Sequence, residues 1–173
     1  VIRISFTSGD INALLGAFLP DDANVWMEGG EFQIEYKIPL GTARALAQPS
    51  FRGNDLVIAL PFSRIKAPVF GGLAGTVTRM LWGTISEKGA AVVASQLRKQ
   101  GLPPDTVDIS KGMDEYGQTV GLIEIHFDRV HPFLDKKLAS APVKVRVQDM
   151  RFGPGGIDIL IDVLPAAMDK RQS

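Results

Sequence analysis

The chain contains no cysteine. That one absence excludes a disulfide scaffold, a thiolate nucleophile, a cysteine-ligated metal and a thiol redox centre. An excess of one charge sign is also missing, because 19 basic side chains balance 19 acidic ones. Free nucleic-acid binders carry a basic excess, so no nucleic-acid partner is expected. The longest apolar run, Ala67 to Ala74, is far shorter than the roughly 20 residues that cross a bilayer as a helix. No basic segment followed by an apolar one opens the chain, so no signal peptide is visible. Strand-like sequence begins at once after Val1, which replaces the usual Met. This start leads to the expectation that an anchor or signal was trimmed upstream. Together with the missing cysteine it points to an extracytoplasmic location, in the cell envelope or periplasm.

What is present describes a folded chain. Of the 173 residues, 45% are apolar, too many for a disordered segment. The length suits a single domain over residues 1–173 with a real core.

Residues 1–39 and 122–165 follow one plan. Ile2, Ile4 and Phe6 alternate with Arg3, Ser5 and Thr7, the pattern of a half-buried strand. Ile123, Ile125 and Phe127 alternate with Glu124, His126 and Asp128 in the same way. A short helix is predicted after each strand. Thr7 and Asp10 have capping-box spacing, and Ile11, Leu14, Leu15 and Phe18 then share one helix face. Val130, Phe133, Leu134 and Leu138 repeat that pattern, with Pro132 expected in the first turn. A hairpin follows each helix. The first turns at Gly29-Gly30 between Val25-Met27 and Phe32–Ile38. The second turns near Gly153-Pro154-Gly155-Gly156, and a parity change near Gln148-Asp149 predicts a bulge.

Between the repeats, Pro49 to Phe62 reads as a hairpin with its turn at Arg52–Asp55. Leu56, Ile58, Leu60 and Phe62 make one apolar face, and Val57 with Ala59 makes the other apolar too. Such a strand is covered on both sides. A long helix is predicted from about Gly72 to Lys99, with Leu73, Val77, Met80, Leu81, Ile85, Val92, Val93 and Leu97 as its apolar stripe. Gly83 and Gly89 weaken it and leave two shorter helices as an alternative. Val107 and Ile109 begin another hairpin, with its turn between Lys111 and Gly117. The expected architecture is α+β: a curved, largely antiparallel sheet packed around one long and two short helices.

Reaction motifs are scarce. His126, Asp128, His131 and Asp135 have no recognised zinc spacing, and surface or capping roles are expected for both histidines. Asp21, Asp22, Glu28, Glu31, Asp114 and Glu115 fall at predicted turns, where carboxylates are normally solvated. Gly71-Gly72-Leu73-Ala74-Gly75 precedes a helix but lacks the ending of a phosphate-binding loop. No serine stands in a nucleophile-elbow motif. No catalysis, metal or cofactor is therefore expected.

The surplus is apolar. The strand at Leu56–Phe62, the segment Val69–Leu73 and the helix stripe all need burial. They bury one another in a dry core, or they stand apart and enclose a hydrocarbon guest. Each acyl CH₂ leaving water contributes about 0.8 kcal/mol, so the second case needs few polar contacts. Val69, Phe70, Leu73, Val77, Met80, Leu81 and Ile85 would line that cavity, with Arg64, Lys66 and Arg79 placed to meet a headgroup phosphate.

The segments FTSGDINALL (6–15), VWMEGGEFQIEYKI (25–38) and VKVRVQDMRFGPGGIDILIDV (143–163) together resemble the LmeA-like phospholipid-binding proteins of bacterial envelopes. The resemblance spans most of the chain as a layout, and its specific identities are Asp10, Ile11, Asn12 and the Gly-Gly hairpins. It implies an extracytoplasmic, non-enzymatic protein that holds phospholipid between a long helix and a wrapping sheet, as in tubular lipid-binding folds, with possible peripheral contact to a membrane. It carries no binding residue over to this chain. The two functions expected are thus carriage of a lipid, or a non-catalytic interaction module with a closed core and a partner-binding edge.

Overall fold

The alternation that begins at Ile2 ends at Thr7, and a helix begins at the next residue. The computed structural model, which describes residues 1–18, 21–38, 41–67 and 74–166, shows why. The Thr7 N–H donates to Asp10 Oδ2 at 2.9 Å, and the Asp10 N–H donates back to Thr7 Oγ1 at 3.2 Å. This reciprocal cap meets two donors that the first helical turn leaves unpaired. The same bonds from Thr7 hold the Asp10 carboxyl below its ordinary pKa.

Strand β1 (Ile2–Thr7) thus runs directly into α1 (Ser8–Phe18), followed by the hairpin β2 (Ala23–Glu28) and β3 (Glu31–Ile38). The order recurs as β7 (Thr119–His126), α4 (Phe127–Lys137), β8 (Val143–Gly153) and β9 (Gly156–Pro165). Between the two copies lie β4 (Gly41–Arg52), β5 (Asp55–Pro61), α2 (Ala74–Thr84), α3 (Ala90–Gln100) and β6 (Val107–Met113). The protein is α+β, and every strand pairing is antiparallel. The strands form two sheets, one in the order β1-β9-β8 and one in the order β2-β3-β4-β5-β7-β6.

The repeats exchange partners. β1 of the first copy pairs with β9 of the second. β7 of the second lies in the sheet of the first hairpin, with β4 and β5 inserted between it and β3. The two hairpin tips meet. A Cβ added to Gly30, which has φ +83°, would lie 3.1 Å from the Gly153 Cα. β8 runs against β4, where Ala43 and Ala47 are buried. Small side chains permit that approach. The expected bulge is present: Val147 faces Ile161, and the next paired residue, Asp149, faces Leu160. It restores the apolar parity of β8 after Gln148.

The long helix is continuous. α2 and α3 are joined by a π turn at Ile85–Gly89 rather than by a break. It ends in a Schellman motif: the Leu102 N–H donates to the Leu97 carbonyl, and Gly101 takes φ +79°. Among its described side chains the most buried is Trp82, 2% exposed. Trp82 packs at a tilt against Phe62, with ring centroids 5.7 Å apart, and covers Gly121 of β7.

Three sequence expectations are corrected. The second short helix begins at Phe127, so Pro132 sits in its second turn instead of its first. The strand enters the helix without a loop, because Phe127 packs its ring on Phe51 and His131. Gly41–Gln48, unassigned from sequence, is the first half of β4. His131 is neither exposed nor capping but buried.

Gly121 is where the helix and sheet touch most closely. A methyl group there would overlap the Trp82 ring. Gly121→Ala should therefore destabilise the fold by roughly 1–3 kcal/mol, the cost of overpacking. Urea unfolding followed by tryptophan fluorescence measures this, and an unchanged midpoint would refute the contact.

Candidate functional site

Two neighbouring strands in antiparallel register share a face residue by residue. In the smaller sheet this places Ile2, Ile161 and Val147 in one row across β1, β9 and β8. Ile4, Ile159 and Met150 form the next row, and Phe6, Ile157 and Phe152 the third. The whole face is apolar. The opposite face carries Arg3, Ser5, Asp158, Asp162, Arg146 and Arg151, interrupted by Leu160. Arg3 and Ser5 both bond Asp158 there, and these bonds hold its carboxyl below the ordinary value.

Cover on the apolar face fades from one edge to the other. Val147 on β8 is 8% exposed, the β9 isoleucines are half-buried, and on β1 Ile2, Ile4 and Phe6 are 52%, 39% and 41% exposed. All six residues of β1 are exposed. Isolated exposed apolar residues are ordinary, whereas a contiguous row marks a binding surface.

One edge of each sheet lies beneath a helix and is met by a side chain of that helix. On β2, the Met27 N–H donates to the Asn12 side-chain oxygen of α1 at 2.6 Å. On β8, the Val147 N–H donates to His131 Nε2 of α4 at 3.1 Å. Asn12 and His131 are each the fifth residue of their helix, and Met27 and Val147 each the fifth of their strand. One hydrogen bond, made twice at matching positions, closes both hairpin edges beneath their helices. Acceptance by Nε2 requires that His131 be neutral with its proton on Nδ1. Burial, and then the nearby Arg146 charge, push its pKa down in agreement with that role. Arg146 bonds both Asp135 oxygens at 2.8 Å, which keeps that carboxyl ionised below its usual range.

His126 is opposite in character. It bridges Asp108 of β6 at 2.9 Å and Asp55 of β5 at 3.0 Å. The Asp108 bond and then the Asp55 bond raise its pKa. Asp128 instead accepts from Asn54 at 2.9 Å. His126, Asp128, His131 and Asp135 therefore serve separate partners, and no cluster fit to hold a metal occurs among the described residues. Asp114 organises its own turn by accepting from the Tyr116 and Gln118 N–H groups.

The residues read from sequence as a cavity wall are dispersed. Leu81 and Ile85 are half-buried. Met80 is 67% exposed, so it is not part of a wall closed to solvent. Val69, Phe70 and Leu73, and the Val77 side chain, lie outside the described residues. At Trp82 the helix closes on the sheet with no space for a methyl group on Gly121. Among the three basic residues, Arg64 lies 3.8 Å from Glu31 and Lys66 pairs its backbone with Arg44. Arg79 lines an open hollow of about 540 Å³ with Phe62, Ser63, Thr78 and Gly117–Thr119. The exposed β1–β9 face had a sequence signal in the alternation of both strands, but only their pairing makes it one surface. No helix among the described residues is long and apolar enough to cross a membrane. The chain matches no family model, no curated protein and no solved structure.

The two histidines should shape stability with opposite sign. His126 favours its protonated form on folding, so its contribution is complete below about pH 6.5, the ordinary imidazole value, and is lost as pH rises through its raised value. His131 favours its neutral form, so its contribution is present above about pH 6.5 and is lost as pH falls toward its lowered value. His131→Asn, which copies Asn12, should keep the edge bond and reduce the acid-side loss. His131→Ala should cost roughly 1–3 kcal/mol at neutral pH, the penalty of an unmet buried donor. Urea midpoints across this range test both, and identical profiles for wild type and His131→Asn would refute the assignment.

Proposed function

We propose that the protein binds the hydrocarbon part of a lipid on the apolar face of β1, β9 and β8, without covalent chemistry. The observation that carries this reading is the row from buried Val147 to exposed Ile2, followed by rows that run from half-buried Met150 and Phe152 to exposed Ile4 and Phe6. A face of this kind holds hydrocarbon through area alone. Burying ten methylenes would contribute about 8 kcal/mol before the cost of ordering the chain. The layout resemblance to LmeA-like proteins points the same way, and with it comes an extracytoplasmic setting. The reading differs from the sequence expectation in where the guest lies: on the smaller sheet, not beneath the middle of the long helix.

Purified protein should release lipid into organic solvent, and native mass spectrometry should show the corresponding mass. The apoprotein should also take lipid from vesicles of mixed zwitterionic and anionic phospholipid. Val163→Asp, at an exposed position on the same β9 face, should lower that uptake at least severalfold while circular dichroism stays unchanged. A homogeneous apo mass with no uptake by wild type would overturn the proposal.

A further inference from the structure

The two joints that tie a helix to a hairpin edge differ by one functional group. On β2 the Met27 N–H donates to the amide oxygen of Asn12, and on β8 the Val147 N–H donates to Nε2 of His131. An amide oxygen accepts at every ordinary pH, whereas an imidazole nitrogen accepts only while it carries no proton. Once protonated, the ring presents N–H at both nitrogens, and donor meets donor at Val147. His131 is buried and packs against Phe127 with ring centroids 6.0 Å apart, so the charged ring has little access to water. The Val147 N–H would lose its acceptor, a state that folded proteins avoid for a buried backbone donor.

The charges around the ring reinforce its preference for the neutral form. Burial and then Arg146 of β8 oppose protonation, and Asp128 and Asp135 of α4 offset only part of that opposition. Asp135 is held by both terminal nitrogens of Arg146 and also feels Lys144 of β8, while Asp128 accepts from Asn54. Of the other elements packed against α4, β5 brings Asp55, which bonds His126, and the turn at Pro104–Thr106 brings Asp105, which pairs with Arg129. β4 meets α4 through the Phe51 ring on Phe127. Asp128 and Arg129 thus tie the start of α4 to neighbouring segments and Asp135 ties its end, with His131 between them. Loss of the His131 bond therefore opens the middle of this interface without detaching the helix. We propose that the His131–Val147 joint is a proton-operated latch: protonation of His131 frees the outer edge of β8 from α4, while the Asn12–Met27 joint of α1 on β2 stays closed. This inference rests on the two matched bonds and is independent of lipid binding.

Amide exchange followed by NMR reads both joints in one sample. Between about pH 7.5 and about pH 4.5, protection of the Val147 amide, corrected for the intrinsic pH dependence of exchange, should fall roughly tenfold or more, while that of Met27 changes less than about twofold. The sign follows from the neutral preference of His131: protection is complete above about pH 6.5 and is lost as pH falls toward the lowered value. In unmodified protein the nitrogen NMR signal of His131 Nε2 should be that of a bare nitrogen at neutral pH and should titrate with the same midpoint as Val147 protection. His131→Asn, checked for folding by circular dichroism, should hold Val147 protection flat across the range. His126→Gln should leave the fall in place, which separates this latch from the other histidine. Equal loss at Val147 and Met27 would mean global acid unfolding and overturns the proposal, as does a flat Val147 profile in unmodified protein or a fall that persists in His131→Asn. A protonated Nε2 at neutral pH overturns it without any variant.

Discussion

An edge strand covered by a helix has backbone donors that neither water nor a neighbouring strand can reach. In this protein the problem occurs twice, on β2 and β8, and each time the fifth residue of the preceding helix supplies the acceptor. Leaving such a donor unmet costs roughly 1–3 kcal/mol, a large part of a typical domain's stability. The bond also sets geometry. It holds each helix against the hairpin that follows, so strand, helix and hairpin move as one unit. The exchange of strands between the two units then joins them, with β1 in the sheet of the second hairpin and β7 in the sheet of the first.

The same interaction uses different chemistry in the two halves. Asn12 accepts at any pH, whereas His131 accepts only while neutral. The second half therefore carries a proton-sensitive version of a joint that is insensitive in the first. His126 gains from protonation through Asp108 and Asp55. The two histidines thus oppose each other across the ordinary imidazole range, although neither belongs to a metal cluster.

Insertion of β4 and β5 makes the halves unequal. The larger sheet is covered by the long helix, with Trp82 seated on Gly121. The smaller sheet has no such cover over β1, and its apolar rows emerge into solvent. At the Trp82–Gly121 contact the larger sheet leaves no room for a guest. The surface is apolar and contiguous across β1, β9 and β8.

Much of this was written in local sequence. Alternation placed β1, the two repeat hairpins and the Gln148 bulge. Thr7 and Asp10 announced the first helix, and the length of the apolar stripe announced the long one. These features depend on neighbours a few residues apart, so one stretch of chain determines them. The first half of β4 escaped because Ala43, Ala45 and Ala47 give little strand signal on their own, and their small size has meaning only once β8 lies against them. Trp82 escaped because its value lies in Gly121, a contact between distant segments. His131 was misjudged for the same reason: a helix residue becomes a buried acceptor only when an edge strand brings a donor to it. Local patterning determined which faces are apolar. Only the tertiary structure decided which of those faces is covered, because cover is a property of what packs across from a residue and not of the residue itself.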